Sequence, residues 1–576
     1  MCLNERVILW ESPTLCSSEG VRWTAPCVVE QITVDSMKRT VTLFLLLFAL
    51  GVPFGSSGQT ATLLQHYDAE DLDQVFVDLG IPGGIVPINY EVDLFKINYT
   101  TLHPNGTEVP VTGAFALPSE VACPLPMSSY QHGTIGAKTD APSYQSTEAN
   151  LGVLYAAVGY ATCMPDYIGL GDSPGMHLYV HADSEAQTSK DLLQAVVSLQ
   201  DSLNFSVDGQ LFLWGYSQGG HATMALHRLL EQEPLEPFSV TGCAPMSGPY
   251  DISGVQSAVI IDDQPYPTPG YLPYVALSYQ EVYGNLYSDL EDLFLPEYAA
   301  VIPDLFDGTH SMGEINAAFP NIPNQMLQPD ALADFESNPE HPIALALAQN
   351  DVYDWAPVAP TRLYYCEGDD QVNYMNSVVA LEAMTANGAA QIDAVDGGML
   401  DHGACAPLAM LAGFNWFIDL YEPAFDPQIV ATVTQIEESL DGFGSIVIPS
   451  EQIDPAWNWS WSNGSEELVL EGLEPGLYIF TLSNGAGCEV AFDFLIVAPT
   501  VIGEHHADQF NVYPNPVSDQ ITITPATWKR AELMTLDGVL VGQFFNRGET
   551  IQVSHLPSGV YVLRIDQRFH RVAVQR

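Results

Sequence analysis

Positive charge is what this sequence has least of. Its 576 residues hold 16 Lys and Arg against 71 Asp and Glu, a formal net charge of −55. The shortage is concentrated: residues 59–505 carry five bases (Lys96, Lys138, Lys190, Arg228 and Arg362), whereas residues 506–576 balance seven bases with six acids. A body this anionic is repelled by nucleic acid and by anionic membrane surfaces, which excludes both as primary partners. An acid-rich, lysine-poor surface instead suits a protein that must stay hydrated in brine or seawater. Long hydrophobic runs are also missing. The segment Val41–Leu50 is too short to span a bilayer and nothing later resembles a transmembrane helix, so stable membrane insertion is not expected. Cysteine is sparse too, nine in all, and none of the six beyond residue 58 has metal-ligand spacing, so no metal is expected.

The N-terminal residues read as an export signal. Met37 is followed by Lys38-Arg39, the apolar Val41–Leu50 and the small residues Ser56-Ser57-Gly58, the three regions of a secretory signal peptide. Residues 1–36 then read as an over-extended start, 37–58 as the signal, and the mature chain as soluble from about Gln59. Export makes disulfides possible for the six cysteines beyond it. Cys366 and Cys405 lie beside the candidate acid and histidine discussed below, and a bridge between them is expected.

Residues 59–423 alternate short apolar runs with helical stretches, the pattern of an α/β domain with a largely parallel sheet. Candidate strands are Val111–Leu117, Val153–Met164, Leu211–Trp214, Val240–Met246 and Thr361–Cys366. Between the last two, residues 251–359 are too long for a structureless loop and read as an inserted helical subdomain roofing the carboxyl end of the sheet, a lid. Its aromatics Tyr271, Tyr274, Tyr279, Phe294 and Tyr298 suit either an acyl groove or ordinary subdomain core. After residue 424 alternating apolar and polar residues, broken by Asn463-Gly464, Pro475-Gly476 and Asn484-Gly485, indicate a small β-sandwich over 424–500. Residues 507–576 read as a second.

The chemistry is concentrated in "LFLWGYSQGGHATMAL", residues 211–226. A buried strand, a Gly-x-Ser-x-Gly turn and a helical stripe form the context of a nucleophile elbow, in which Gly215 and Gly219 leave room around a strained Ser217. A serine hydroxyl is a poor nucleophile until a base takes its proton, and in this chain order an acid and then a histidine should follow. "RLYYCEGDDQVNY", 362–374, supplies Asp369, with Asp370 as rival, and "DGGMLDHGACAP", 396–407, supplies His402 before a helix Leu408–Leu420. The oxyanion of the tetrahedral intermediate needs donors: the N–H of Gln218, and that of Thr134 or Gly133 in "YQHGTIG", 130–136. His132 suits the oxyanion loop, and His221 should face along the helix after the serine. No cofactor is needed.

These stretches, with "VGYATCMPDYIGLGDSPGMHLYVH" at 158–181, resemble the secretory lipases and bacterial esterases of the α/β-hydrolase superfamily over about 85–423. The resemblance implies an α/β-hydrolase fold with an inserted helical lid over an acyl pocket, ester hydrolysis, and Ser217, Asp369 and His402 in the triad positions. This chain departs from many fungal members in following the serine with Gln218-Gly219-Gly220. Trp461-Ser462-Asn463-Gly464, Gly476-x-Tyr478 and Gly487-Cys488 resemble a repeat of gliding-motility adhesins, here one copy serving as a spacer. Tyr513-Pro514-Asn515-Pro516, Asp537-Gly538 and Ser558-Gly559-Val560-Tyr561 resemble the C-terminal sorting domain of type IX secretion cargo. The expected protein is therefore a secreted or cell-surface serine ester hydrolase, exported through the periplasm, whose partners are a small-molecule or lipid ester and the type IX machinery. A serine peptidase, a feruloyl-type aryl esterase and a non-catalytic surface-binding protein remain as alternatives, since fold does not choose among them.

Overall fold

The computed structural model describes residues 58–79, 88–435, 444–496 and, with short interruptions, 511–574. Residues 1–57, the expected start and all of the expected signal peptide but Gly58, lie outside them, as do Pro514, Pro516, Asp537-Gly538 and Ser558. The chain divides into two compact units, one of residues up to Asp426 together with Gly485–Cys488, the other of Pro427–Asn484 and Glu489–Arg576.

The first unit is built on nine strands: β1 Thr60–Tyr67, β2 Val92–Leu102, β3 Glu108–Pro118, β4 Leu125–Gln131, β5 Ala161–Pro165, β6 Val207–Tyr216, β7 Ser239–Met246, β8 Thr361–Tyr365 and β9 Ile392–Asp396. Their order in the sheet is β1-β2-β3-β5-β4-β6-β7-β8-β9. The pairs from β5–β4 to β8–β9 are parallel, and those among β1, β2, β3 and β5 are antiparallel. Helices α1 Ala69–Asp78, α2 Thr147–Val158, α3 Ala182–Ser198, α4 Gln218–Gln232, α7 Met375–Ala386 and α8 His402–Leu420 flank the sheet, while α5 Tyr271–Tyr283 and α6 Pro342–Gln349 lie in the segment between β7 and β8. This is the α/β-hydrolase arrangement that the sequence led us to expect.

Alternation along β6 shows why the sheet is buried twice. Leu211 and Leu213 join a core with α3, α4 and α7, through Leu192, Met224 and Met384. Phe212 and Trp214 join the opposite core, with α2 and α8, through Val153, Phe414 and Phe417. Each such side chain contributes roughly 1.5–3 kcal/mol relative to exposure, and the run of four apolar residues fixes the strand centrally. α8 is the one described helix long and apolar enough to cross a membrane; here it packs on the sheet through Phe414 and Phe417.

One expected strand was too long. Val153–Val158 lies in α2, which closes on Gly159 at φ 118°, a left-handed backbone that favours glycine; only Ala161–Pro165 forms the strand. The helix that carries the candidate histidine also starts earlier than expected, at His402 instead of Leu408, because the Asp401 side chain accepts from the Ala404 N–H at 2.8 Å and caps it. Between β7 and β8 the chain is helical in short pieces, with its own core around Phe294, Ile302 and Ile315. The Cys366–Cys405 bridge is present, and a second disulfide joins Cys123 to Cys488.

In the second unit, residues 432–496 form two three-stranded antiparallel sheets, and residues 511–574 a three-stranded and a four-stranded sheet sharing a core of Ile521, Leu533, Leu563 and their neighbours.

Candidate active site

Ser217 stands between β6 and α4 with φ 62° and ψ −123°, outside the regions L-residues favour. Its neighbours explain how the turn closes so tightly. A Cβ on Gly219 would overlap the Gln131 carbonyl oxygen, one on Gly215 would come within 2.5 Å of it, and one on Gly220 would strike the Met246 carbonyl. Three glycines therefore let the turn sink between β4 and β7, and the Ser217 N–H donates to Met246 O at 2.9 Å. Such strain persists only when the surroundings over-determine it, and here two strands do so.

The loops after β8 and β9 bring the acid and the histidine together. His402 Nδ1 lies 2.7 Å from Asp369 Oδ2 and 2.9 Å from Oδ1. Both side chains are nearly buried, at 9% and 1% exposure. Asp369 Oδ1 also accepts from the N–H groups of Gln371 and Val372, which orients the carboxylate. Asp370 does not reach the ring; its Oδ1 accepts from the His402 backbone N–H at 3.2 Å. Cys366, three residues before Asp369, is bonded to Cys405, three residues after His402, so the two loops are covalently joined. Tyr216, directly before Ser217, donates from its hydroxyl to His402 O at 2.7 Å and packs its ring 4.8 Å from the imidazole. The elbow and the histidine loop are thereby in contact.

The segment carrying Gly133 and Thr134 leaves β4 beside the elbow, with the carbonyls of Gln131 and His132 against Gly219. Thr134 Oγ1 lies 3.1 Å from the Tyr179 hydroxyl. His132 is fully buried, its ring nitrogens 2.7 Å from Gly133 O and 3.3 Å from Asp166 O, so it shapes the loop. His221 is also fully buried: Nδ1 meets Glu185 Oε2 at 3.1 Å and Nε2 meets Asn350 O at 2.9 Å. Gln218 directs its side-chain nitrogen to Glu185 Oε1 at 2.7 Å and to His177 Nε2 at 2.8 Å. Burial pushes His177 down to about 3, so its Nε2 is free to accept while Nδ1–H donates to Ile168 O.

Ser217 and Gln218 open onto a cavity walled by the inserted helices, with Ile252, Ile260, Leu272, Leu332 and Leu347 among its lining. Of the aromatics singled out in the insert, Tyr271 and Tyr279 line it. Tyr274 instead stacks on Tyr179 at 4.4 Å, and Phe294 and Tyr298 belong to the insert's own core. Sequence reasoning did not find Tyr216, Glu185 or His177. The position of Tyr216 before the serine was a usable signal; Glu185, 32 residues upstream in a polar stretch, offered none. Among the described residues no cluster of His, Cys, Asp and Glu has the arrangement of a metal site.

Residues 145–425 match the secretory lipase family, and residues 511–575 match the secretion system C-terminal sorting domain. The fold is similar to that of a protein from Legionella pneumophila named as a hydrolase, with 28% identity and a TM-score of 0.59 over 64% of this chain and 99% of that one. It is similar also to the rice cell wall degrading esterase LipA from Xanthomonas oryzae, at 26% identity and a TM-score of 0.56 over 63% of this chain and 97% of the esterase. No curated protein matches the sequence. The chain is thus a secreted or cell-surface carboxylic ester hydrolase with an α/β-hydrolase fold, similar over residues 145–425 to the secretory lipases, and with a C-terminal type IX sorting domain.

Proposed function

We propose that the chain hydrolyses esters of aliphatic acids through a Ser217–His402–Asp369 triad and an acyl-enzyme. The observation that carries the reading is the joint placement of a strained Ser217 on an apolar cavity and, on the loops packed against that elbow, an imidazole whose Nδ1 is held 2.7 Å from a buried carboxylate. With Nδ1–H donated to Asp369, His402 presents Nε2 as a base. The Ser217 hydroxyl oxygen attacks the ester carbon as its proton passes to Nε2. The tetrahedral intermediate collapses, the C–O bond to the alcohol breaks, and His402 returns the proton to the leaving oxygen. Water then repeats the sequence on the acyl-enzyme, releasing the acid and freeing Ser217.

The Gln218 N–H, at the start of α4, and the N–H of Gly133 or Thr134 are the donors proposed for the oxyanion. The insert, 251–359, acts as the lid, and its aliphatic lining selects an acyl chain over a polar or charged group. Residues 424–500 serve as a spacer, and the terminal domain, 507–576, delivers the chain to the type IX machinery. Hydrolysis of p-nitrophenyl esters from acetyl to palmitoyl by the full chain, with Ser217→Ala alongside, tests the reading. Serine-dependent turnover rising toward longer chains is expected. Turnover confined to feruloyl-type esters or peptides would overturn the substrate class, and activity surviving in Ser217→Ala would overturn the mechanism.

A further inference from the structure

Behind the nucleophile lies a buried polar cluster that the triad does not use. Glu185, on the first turn of α3, is 1% exposed, yet its carboxylate is fully engaged. Oε1 accepts from the Gln218 side-chain amide at 2.7 Å and from the Val180 N–H at 3.1 Å, while Oε2 faces His221 Nδ1 at 3.1 Å. The partners come from two walls of the site, Gln218 and His221 from α4 and Val180 from the segment before α3. Gln218 carries a proposed oxyanion N–H. His221 lies one turn further along the same helix, and its N–H donates to Ser217 O at 3.2 Å. Val180, itself at φ 48°, follows Tyr179, whose hydroxyl meets Thr134 on the opposite oxyanion loop. Through His221 Nε2 the cluster reaches Asn350 at the end of α6, and Asn350 Oδ1 accepts from the Ala182 N–H at 2.8 Å to close the ring back on α3.

A buried carboxylate is costly to hold, and a hydrophobic residue would serve the core as well or better. Here one carboxylate connects the residue after the serine, the helix behind it and the loop touching Thr134. We propose that Glu185 is a positioning residue for the oxyanion hole: by fixing Gln218, His221 and Val180 together it sets the spacing between the two proposed N–H donors. The inference rests on the triad reading given above.

The geometry also states which substitution should rescue. His221 Nδ1 faces Glu185 Oε2 and its Nε2 faces the Asn350 carbonyl. In Glu185→Gln the amide oxygen can still accept from Gln218 and Val180, and the amide nitrogen can donate to a neutral His221 that keeps its proton on Nε2. Glu185→Leu leaves all three partners without their acceptor, and Glu185→Asp withdraws the carboxylate by one methylene while keeping its charge.

The test measures kcat and KM on a p-nitrophenyl ester, and inhibition by an alkylboronic acid, which forms a tetrahedral adduct with an active serine, for the full chain and these three variants. Since loss of one oxyanion donor typically costs about 10²–10³ in kcat, a misplaced donor should cost ~10–10². Glu185→Leu and Glu185→Asp are expected to lose kcat by that factor with KM within about twofold, to lose boronate affinity in parallel, and to be largely restored in Glu185→Gln. If Glu185→Leu does not fold, the Asp and Gln pair decides. Folded Glu185→Asp with unchanged kcat and boronate affinity, or a Gln variant as impaired as Asp, would overturn the proposal. Ser217→Ala in the same series separates the two claims, because activity surviving in it refutes the triad itself and leaves no oxyanion hole for Glu185 to position.

Discussion

Two adjacent aspartates allow a sharp test of how the histidine is held. Asp369 places both carboxylate oxygens within 2.9 Å of His402 Nδ1, whereas Asp370 contacts only the His402 backbone N–H at 3.2 Å. In Asp369→Asn the amide keeps the shape but can present its nitrogen to Nδ1, which favours the tautomer with the proton on Nε2, the wrong end for a base. The loss of charge also removes stabilisation of the imidazolium. In triads of this geometry the equivalent change lowers kcat by about 10⁴, equal to ~5.4 kcal/mol at 1.36 kcal/mol per factor of ten. Asp370→Asn retains an amide oxygen able to accept from the same N–H, so about 1 kcal/mol or less is at stake, a factor of five or so in kcat. Single-turnover hydrolysis of a p-nitrophenyl ester, with circular dichroism to verify the fold, reads both. Equal impairment of the two variants, or a mild Asp369→Asn, would refute the assignment of the acid.

The disulfide and the glycines carry further predictions. Cys366→Ala/Cys405→Ala opens a loop spanning 39 residues, for which chain entropy gives about 4 kcal/mol of lost stability, and kcat should fall as well because the bridge anchors the Asp369 and His402 loops; an unchanged denaturation midpoint and kcat would contradict this. Gly219→Ala forces a Cβ onto the Gln131 carbonyl and should cost ~3 kcal/mol or more, whereas Gly313→Ala, whose nearest neighbour is the Ser311 hydroxyl at 3.8 Å, should be neutral; urea denaturation of the pair compares them, and equal midpoints would refute the packing argument.

The sequence is most informative where structure is local. A strand, a Gly-bracketed serine and a helix are contiguous, so the elbow could be read directly, and Thr361–Cys366 running into acids placed Asp369 at a strand end. The bridge between Cys366 and Cys405 followed from their proximity to the two loops. Legibility fails where burial is uniform. α2 buries Ala149 and every residue from Gly152 to Ala157, so apolar residues circle the helix and neither a 2.0 nor a 3.6 period stands out; Val153–Val158 therefore resembled a strand. β4 was missed for the opposite reason, since Ser128 and Ser129 look like loop residues yet are buried with their hydroxyls satisfied by Thr162 and Gln131. The Glu185 cluster depends on contacts between α3, α4 and α6, none of which is encoded by spacing along the chain.

The central claim is that Ser217 is the nucleophile, and labelling by a fluorophosphonate tests it most directly. The account predicts one covalent adduct per chain, mapped by peptide mass spectrometry to Ser217, with labelling abolished in Ser217→Ala and strongly slowed in His402→Ala. An adduct on another residue, or folded, ester-hydrolysing protein that resists the probe, would contradict it.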